Sequence, residues 1–122
     1  MATKVSAYRM IDYDKSSFKT STTNYTLTST DWVPYAVNTI ALSSASTSSS
    51  TLTAIVPNNN FPEGFQVTIL RLGLGPVNIS GAAGVNIRSS TNSYNLAYQY
   101  SVASLVYTGS PNVGWILFGD LI

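Results

Sequence analysis

Two carboxylates two residues apart, Asp12 and Asp14, come closest to a catalytic or metal-binding arrangement. Side chains at that spacing lie on one side of a strand, and paired carboxylates can serve glycoside hydrolysis or calcium binding. Both lie close to cationic residues, Arg9 and Lys15, so solvated ion pairs are the simpler interpretation. We therefore expect no catalytic residue and no metal site in this segment.

The rest of the residue inventory excludes most other chemistry. The chain has no His and no Cys, which removes the commonest general base, thiolate nucleophiles, disulfides and most zinc sites. Its 18 Ser and 14 Thr residues have no histidine or obvious lysine partner to activate a hydroxyl. Gly73-Leu74-Gly75 resembles a phosphate-cradling loop only weakly, because no Lys-Ser/Thr pair and no helix follow it. The sequence predicts a protein that is not an enzyme and binds no cofactor.

Charge is scarce in this chain of 122 residues. The formal net charge is +1 and charged residues make up 9% of the sequence, so no basic surface for nucleic acid is expected. A polar surface made mainly of hydroxyl groups repels its neighbours weakly and is typical of proteins in assemblies. A secreted β domain with a Ser/Thr-rich surface is the alternative that composition leaves open.

The few ionic side chains are unevenly distributed. Seven of the 11 lie in the first 31 residues. This predicts an N-terminal attachment segment or arm over residues 1–35 and a body over residues 36–122, with a Ser-rich loop at 43–50. No signal-peptide h-region and no membrane-spanning run is present. We expect synthesis in a cytosol, without export as a free secreted protein, and no membrane partner.

The elements that must position any site are strands almost everywhere. Polar and apolar residues alternate over 24–28, 51–56 and 65–72, and shorter runs follow at 76–80, 84–88 and 101–108. The run at 113–118 is apolar throughout and predicts a strand buried on both faces, with Trp115 in the core. Residues 94–106 are interpreted as strand–turn–strand. Turn signals between these runs predict an all-β fold, a single small antiparallel sandwich or barrel, jelly-roll-like or β-tulip-like, after a less regular N-terminal segment.

Two short motifs are interpreted as architecture. Phe61-Pro62 followed by Gly64 predicts a turn that sets the entry into a core strand. Gln99-Tyr100-Ser101 predicts a buried amide and phenol that hydrogen-bond to loop backbone, in preference to a recognition site.

The second half of the chain resembles a small β module found in virion proteins of tailed bacteriophages. Five segments carry the resemblance in order: Asn60-Phe61-Pro62-Glu63-Gly64-Phe65-Gln66-Val67-Thr68-Ile69, Gly73-Leu74-Gly75-Pro76-Val77-Asn78-Ile79, Gly84-Val85-Asn86-Ile87-Arg88-Ser89, Tyr98-Gln99-Tyr100-Ser101-Val102-Ala103-Ser104-Leu105 and Trp115-Ile116-Leu117-Phe118-Gly119-Asp120-Leu121. The resemblance covers residues 58–122. Pro76 stands where the family commonly has Gln, and since proline cannot donate to a ladder, its strand should begin there or lie at a sheet edge.

The resemblance implies a structural role in the virion. The module occurs in capsid decoration (cement) proteins, head fibres and tail-fibre tips, commonly as trimers. The short chain favours a decoration protein on the outer capsid surface, made in the host cytoplasm, with the major capsid protein and its own copies in a homotrimer as partners. A head- or tail-fibre tip that binds host surface glycans is the alternative, and a depolymerising tail enzyme is nearly excluded by the residue inventory.

Aromatic and cationic residues near the N-terminus are the predicted capsid contact, because aromatic side chains and arginine anchor interfaces. These are Tyr8, Arg9, Tyr13, Lys15, Phe18 and Trp32. The chain ends in two aliphatic residues, Leu121 and Ile122, which are the predicted subunit interface.

Overall fold

The computed structural model describes residues 17–31, 38–44 and 51–122. Nine strands lie within these ranges: β1 (Ser17–Ser21), β2 (Tyr25–Thr26), β3 (Asn38–Leu42), β4 (Leu52–Val56), β5 (Gln66–Arg71), β6 (Val77–Gly81), β7 (Ile87–Ser89), β8 (Val102–Tyr107) and β9 (Trp115–Gly119). A 3₁₀ turn, Ser29–Asp31, follows β2. The fold is all-β, as predicted.

The first six strands wind as a β-solenoid of about three turns. Each turn, or coil, places one strand in a six-stranded sheet (order β1-β3-β5-β8-β9-β7) and the next strand in a three-stranded sheet (order β2-β4-β6). Neighbouring coils pair in parallel in both sheets. The predicted antiparallel sandwich or barrel is therefore wrong, because alternation fixes which face of a strand is buried but not the direction in which strands pair.

Equivalent positions of successive coils stack on one another. Ile40 of β3 pairs with Ile69 of β5, and both are fully buried. The equivalent position in the first coil is Lys19, which pairs with Ile40. The first coil therefore places a cation where the next two place isoleucine.

The last three strands close one end of the solenoid. Strand β8 pairs antiparallel with β5, β9 pairs antiparallel with β8, and β7 adds to β9 in parallel. In the smaller sheet, Asn95 forms an antiparallel bridge to Asn78 of β6. Strands β1 and β2, which precede residue 36, belong to the same two sheets as the body.

One hydrophobic core lies between the two sheets and draws buried side chains from both. At one end, the rings of Phe61, Phe65 and Trp115 meet edge to face, with centroids 4.7–5.6 Å apart. Tyr107 packs on Trp115 at 5.1 Å. The prediction that Trp115 is a core residue is confirmed.

Turns at both ends of β5 depend on glycine. Phe65 N–H donates to Pro62 O, and Gly64 has a φ of 83°, a left-handed value that a turn of this kind requires. The predicted turn before the core strand is confirmed. After β5, a Cβ at Gly73 would collide with the backbone of Ser44, so glycine at this position allows the backbones of neighbouring coils to approach closely.

Most predicted strands are present, with one correction of burial. Strand β6 begins directly after Pro76 and is an edge strand of the three-stranded sheet, as that proline predicted. Residues 94–106 contain two bridges, a turn at 98–100 and the start of β8, which fits strand–turn–strand. The prediction that β9 is buried on both faces is wrong, because Ile116 and Phe118 are exposed.

Candidate interaction surface

The six-stranded sheet has an outer face that points away from the core. Along β8 and β9 buried residues alternate with residues that are exposed or half-buried, so each strand has one face in the core and one outside. We define the outer face by the positions of β5, β8 and β9 that point outward: Gln66, Thr68, Leu70, Val102, Ser104, Val106, Ile116 and Phe118. None of them is ionic.

Cross-strand pairing brings the apolar members of the outer face together. Val106 lies opposite Ile116, and Leu70 lies opposite Val102. Phe118 lies opposite Ser104, whose hydroxyl is 3.2 Å from that of Thr68 on the next strand. The face is thus a continuous surface of aliphatic, aromatic and hydroxyl groups.

The apolar side chains of the outer face are well exposed. Phe118 is 50% accessible to solvent, Val102 45% and Ile116 36%. The neighbouring cation, Arg88 of β7, is directed to the adjacent loop, where it donates to the carbonyls of Asn112 and Val113. A contiguous exposed apolar surface of this kind is typical of an interaction site.

A loop before β8 presents two tyrosines. Tyr98 and Tyr100 are each 67% exposed. Arg71 of β5 holds this loop in place, because its guanidinium donates to the carbonyls of Leu96 and Ala97 at 3.3 Å. Gln99 Nε2 donates to Leu72 O at 3.2 Å, as predicted for this amide. The turn that carries the two tyrosines is therefore held in place by these side-chain hydrogen bonds.

The backbone of Tyr100 is in an unusual conformation. Its φ is 72°, a left-handed value that bulky side chains rarely adopt, and its N–H donates to Arg71 O at 2.6 Å. The prediction that this phenol is buried is wrong, because the left-handed turn directs the ring outward. The buried polar group of the motif is Ser101, whose hydroxyl donates to Asp120 at 2.6 Å.

The ionic residues of the first coil satisfy one another internally. The carboxylate of Asp31 is fully buried and accepts hydrogen bonds from Lys19 Nζ, from Tyr25 Oη (2.7 Å) and from the N–H of Thr28 (2.8 Å). This cluster neutralises the lysine that stands at the inward position of the first coil. From the sequence, Lys19 and Asp31 were counted only among the ionic residues of the first 31 positions, and no contact between them was predicted. The signal for the cluster is the alignment of Lys19 with Ile40 and Ile69, which is visible only once the coils are known.

Those contacts shift the pKa values of all three groups. Burial alone would raise the pKa of Asp31, but the hydrogen bonds from Lys19, Thr28 and Tyr25 together lower it below its ordinary 3.8. The hydrogen bond to Asp31 raises the pKa of Lys19 above 10.5. Burial, together with the carboxylate, raises the pKa of Tyr25 above 10.0. Within this cluster all three groups keep their ordinary charges at neutral pH.

The predicted contact residues fall partly outside the described part of the chain. Tyr8, Arg9, Tyr13, Lys15 and Trp32 lie outside the described residues, as do Asp12 and Asp14. Phe18 lies on the edge strand β1 and is 62% exposed, so it is available for contact.

The two C-terminal residues differ in exposure. Leu121 forms a bridge with Leu96 and packs against the core of its own chain. Ile122 is 64% exposed, and its N–H donates to Asn95 O. A subunit interface at these two residues stays a prediction, for which Ile122 offers the accessible surface.

Over residues 17–31, 38–44 and 51–122, no three acidic residues converge on a possible metal site. The same ranges contain no helix with the length and hydropathy of a bilayer-crossing segment. No known protein family matches the chain, and no curated protein does.

Proposed function

We propose that this protein is a structural component of a bacteriophage virion, a decoration protein that binds the outside of the head and stabilises it. The five motifs over residues 58–122 supply the virion assignment as a resemblance. The structural observation that supports association is the uncharged outer face, where Val102, Ile116 and Phe118 are exposed.

The chemistry of this face suits protein association. Removing exposed Val, Ile and Phe side chains from water is favourable at about 25 cal/mol per Å² of apolar surface. Interface centres are depleted in charged residues, and no charge on the outer face would have to be desolvated. Hydroxyl groups such as those of Thr68 and Ser104 can pair with a partner's polar groups at modest desolvation cost. The outer face thus fits a permanent protein contact, either with the shell or with further copies in the proposed homotrimer.

Outer-face substitutions test the role of this surface. Heads assembled without the chain would be mixed with the wild type and with the double variant Ile116→Thr/Phe118→Thr, which keeps residues suited to strands. If these are central anchors, occupancy at a fixed concentration should fall by about tenfold or more. The matched control is Val113→Thr, because Val113 is an equally apolar, 41% exposed residue outside the sheet. Equal occupancy for wild type and double variant would contradict a head contact through this face.

The N-terminal contact is tested separately by truncation. The described chain enters the sheet at Ser17, so deletion of residues 1–16 leaves β1 intact, whereas deletion of residues 1–20 would remove most of that strand. The proposal expects the truncated protein to fold and to lose head binding. Normal decoration by the truncated protein would show that the predicted contact residues before Ser17 are not needed.

Stabilisation and oligomeric state complete the test. Heads that lack the protein should release DNA at a lower temperature than decorated heads, because binding favours the assembled state by mass action. Equal release temperatures would contradict the stabilising role.

The oligomeric state is tested by light scattering, which should give three times the 13.1 kDa chain mass for the proposed homotrimer. A monomer at micromolar concentration would limit the trimer to assembly on the capsid.

The fibre-tip alternative is favoured by one observation, the two exposed tyrosines on the loop braced by Arg71. A tip module occurs in few copies per particle, whereas a decoration protein covers a shell. Quantitative gel analysis of purified particles therefore separates the two functions.

A further inference from the structure

A cleft of about 130 Å³ opens at the end of the molecule opposite the tyrosine loop. Three loops surround it, at residues 57–60, 84–86 and 111–114. Its aromatic floor consists of Tyr107, which is half-buried, and Trp115, which is only 3% exposed, so Tyr107 offers most of the accessible ring surface. These rings pack against each other at the end of the aromatic cluster, tilted by 38°, so the floor is held by the core.

One wall of the cleft carries three consecutive asparagines. Asn58, Asn59 and Asn60 are all exposed, and within the described residues their side-chain amides make no hydrogen bond. None of the three has a positive φ, so the loop does not need asparagine for a left-handed conformation. Their amides, each with two donors and an acceptor, are available to a ligand.

The other side of the cleft is braced. Asn86 Nδ2 donates to the carbonyls of Pro111 and Asn112, both at 3.2 Å. A Cβ at Gly84 would approach the amide of Asn58, and one at Gly114 would collide with Asn86. Glycine at these two positions keeps the loops close together.

From these features we infer that the cleft binds a neutral sugar ring. Among the described residues that line the cleft, none is ionic, which disfavours phosphate, uronate and sialate groups because these residues would not offset the desolvation of their charge. Amides match the paired donors and acceptors of sugar hydroxyls, and an aromatic floor suits the apolar face of a pyranose. The volume is below the roughly 300 Å³ of pockets that enclose drug-sized ligands, so one ring at the end or edge of a glycan fits. This inference goes beyond attachment to heads and does not depend on it.

Two-dimensional NMR on the full chain tests the inference, with glucose, galactose, mannose and N-acetylglucosamine as probes and glucuronate and sialic acid as charged comparisons. At least one neutral sugar should shift the side-chain amide signals of the asparagine loop and the indole signal of Trp115. Saturation is expected in the range of about 1–10 mM, as befits so small a ligand. The charged sugars should produce no saturable shift.

The triple variant Asn58→Ser/Asn59→Ser/Asn60→Ser should weaken binding by about tenfold or more, since it removes the hydrogen-bonding amides. It breaks no hydrogen bond within residues 17–31, 38–44 and 51–122, so its melting temperature should match the wild type. Gln66→Ser, which removes an amide from the outer face, should leave binding unchanged. The inference is overturned if no neutral sugar binds, if the shifts map to Tyr98 and Tyr100 instead, if glucuronate binds equally well, or if the folded triple variant keeps its affinity. Decoration of heads by the triple variant should be normal, which separates this test from that of the proposed function.

Discussion

The coils of the solenoid and the C-terminal part that closes it use apolar residues in different ways. In the coils, most large apolar side chains of β3, β4 and β5 are buried, and the strands of neighbouring coils pair in parallel. Among the described residues, nine large apolar side chains are exposed, and seven of these lie after residue 97. The described coils thus bury most of their large apolar side chains, whereas the C-terminal part carries most of the exposed ones.

The two parts are also stabilised differently. The first coil is held by a buried carboxylate and its donors, whereas the C-terminal part is held by ring packing around Trp115. An electrostatic contact responds to pH, but packing of uncharged rings does not. Substitutions and changes of pH should therefore affect the stability of the two parts differently.

The largest effect is expected for Trp115→Ala. Trp115 contacts Phe61, Phe65 and Tyr107 at once, and removing a buried tryptophan costs about 3–5 kcal/mol. Chemical denaturation would measure the loss, with Trp115→Phe as the milder control. A loss below about 1 kcal/mol would mean that ring packing does not hold the C-terminal part.

A smaller loss, of about 1–3 kcal/mol, is expected for Asp31→Ala. The substitution leaves Tyr25 Oη and the N–H of Thr28 without their acceptor and Lys19 without its partner. Hydrogen exchange should show the weakening in β1 and β2 first, with β8 and β9 little affected. Uniform loss of protection across both sheets would contradict the distinction between the two parts.

The same cluster predicts a pH profile. Because the folded pKa of Asp31 lies below 3.8, its stabilising effect is complete above that pH and is lost as the pH falls through the folded value. The raised pKa values of Tyr25 and Lys19 give the opposite sign: their contribution is complete below about pH 10.0 and is lost in more alkaline solution. Melting temperatures should show both limbs in the wild type. In Asp31→Asn the acid limb should flatten, and an unchanged acid limb would assign it to other carboxylates.

The smallest effect on stability distinguishes the two faces of one strand. Phe118→Ala should change the free energy of unfolding by no more than about 0.5 kcal/mol, as for an ordinary surface substitution. Leu117→Ala, at the buried neighbouring position, should lower the free energy of unfolding by about 2–5 kcal/mol. Similar losses of unfolding free energy for both variants would show that Phe118 stabilises the monomer, which would contradict its assignment to an interaction surface.

The sequence predicts most of the strands and much of the core, because the alternation of polar and apolar residues indicates directly which side chains are buried. The run 65–72 predicted β5, and Trp115 was correctly assigned to the interior. The coils could not be seen in this way, because the residue type at equivalent positions does not repeat in all three: Lys19 stands where the next two coils have Ile40 and Ile69.

The surfaces were harder to predict for a related reason. In β9, an exposed apolar residue is of the same type as one buried in the core, so Ile116 and Phe118 were assigned to the interior. Asn58, Asn59 and Asn60 follow a predicted strand, and Asn60 begins a segment of the resemblance. None was a predicted site residue, because the cleft they share with Tyr107 depends on loops distant in sequence. Tyr100 was expected to be buried because nothing in the sequence announces its left-handed backbone.

The position of β5 between β3 and β8 has a consequence during synthesis. A ribosome completes β5 at residue 71, but the strand that covers its second edge ends at residue 107. At about 5–20 residues per second, this edge stays open for roughly 2–7 s after β5 is made. Nascent chains on neighbouring ribosomes could pair at such an edge. Products that terminate before residue 102 would keep it open permanently and should accumulate as aggregates, whereas the complete chain closes it with β8.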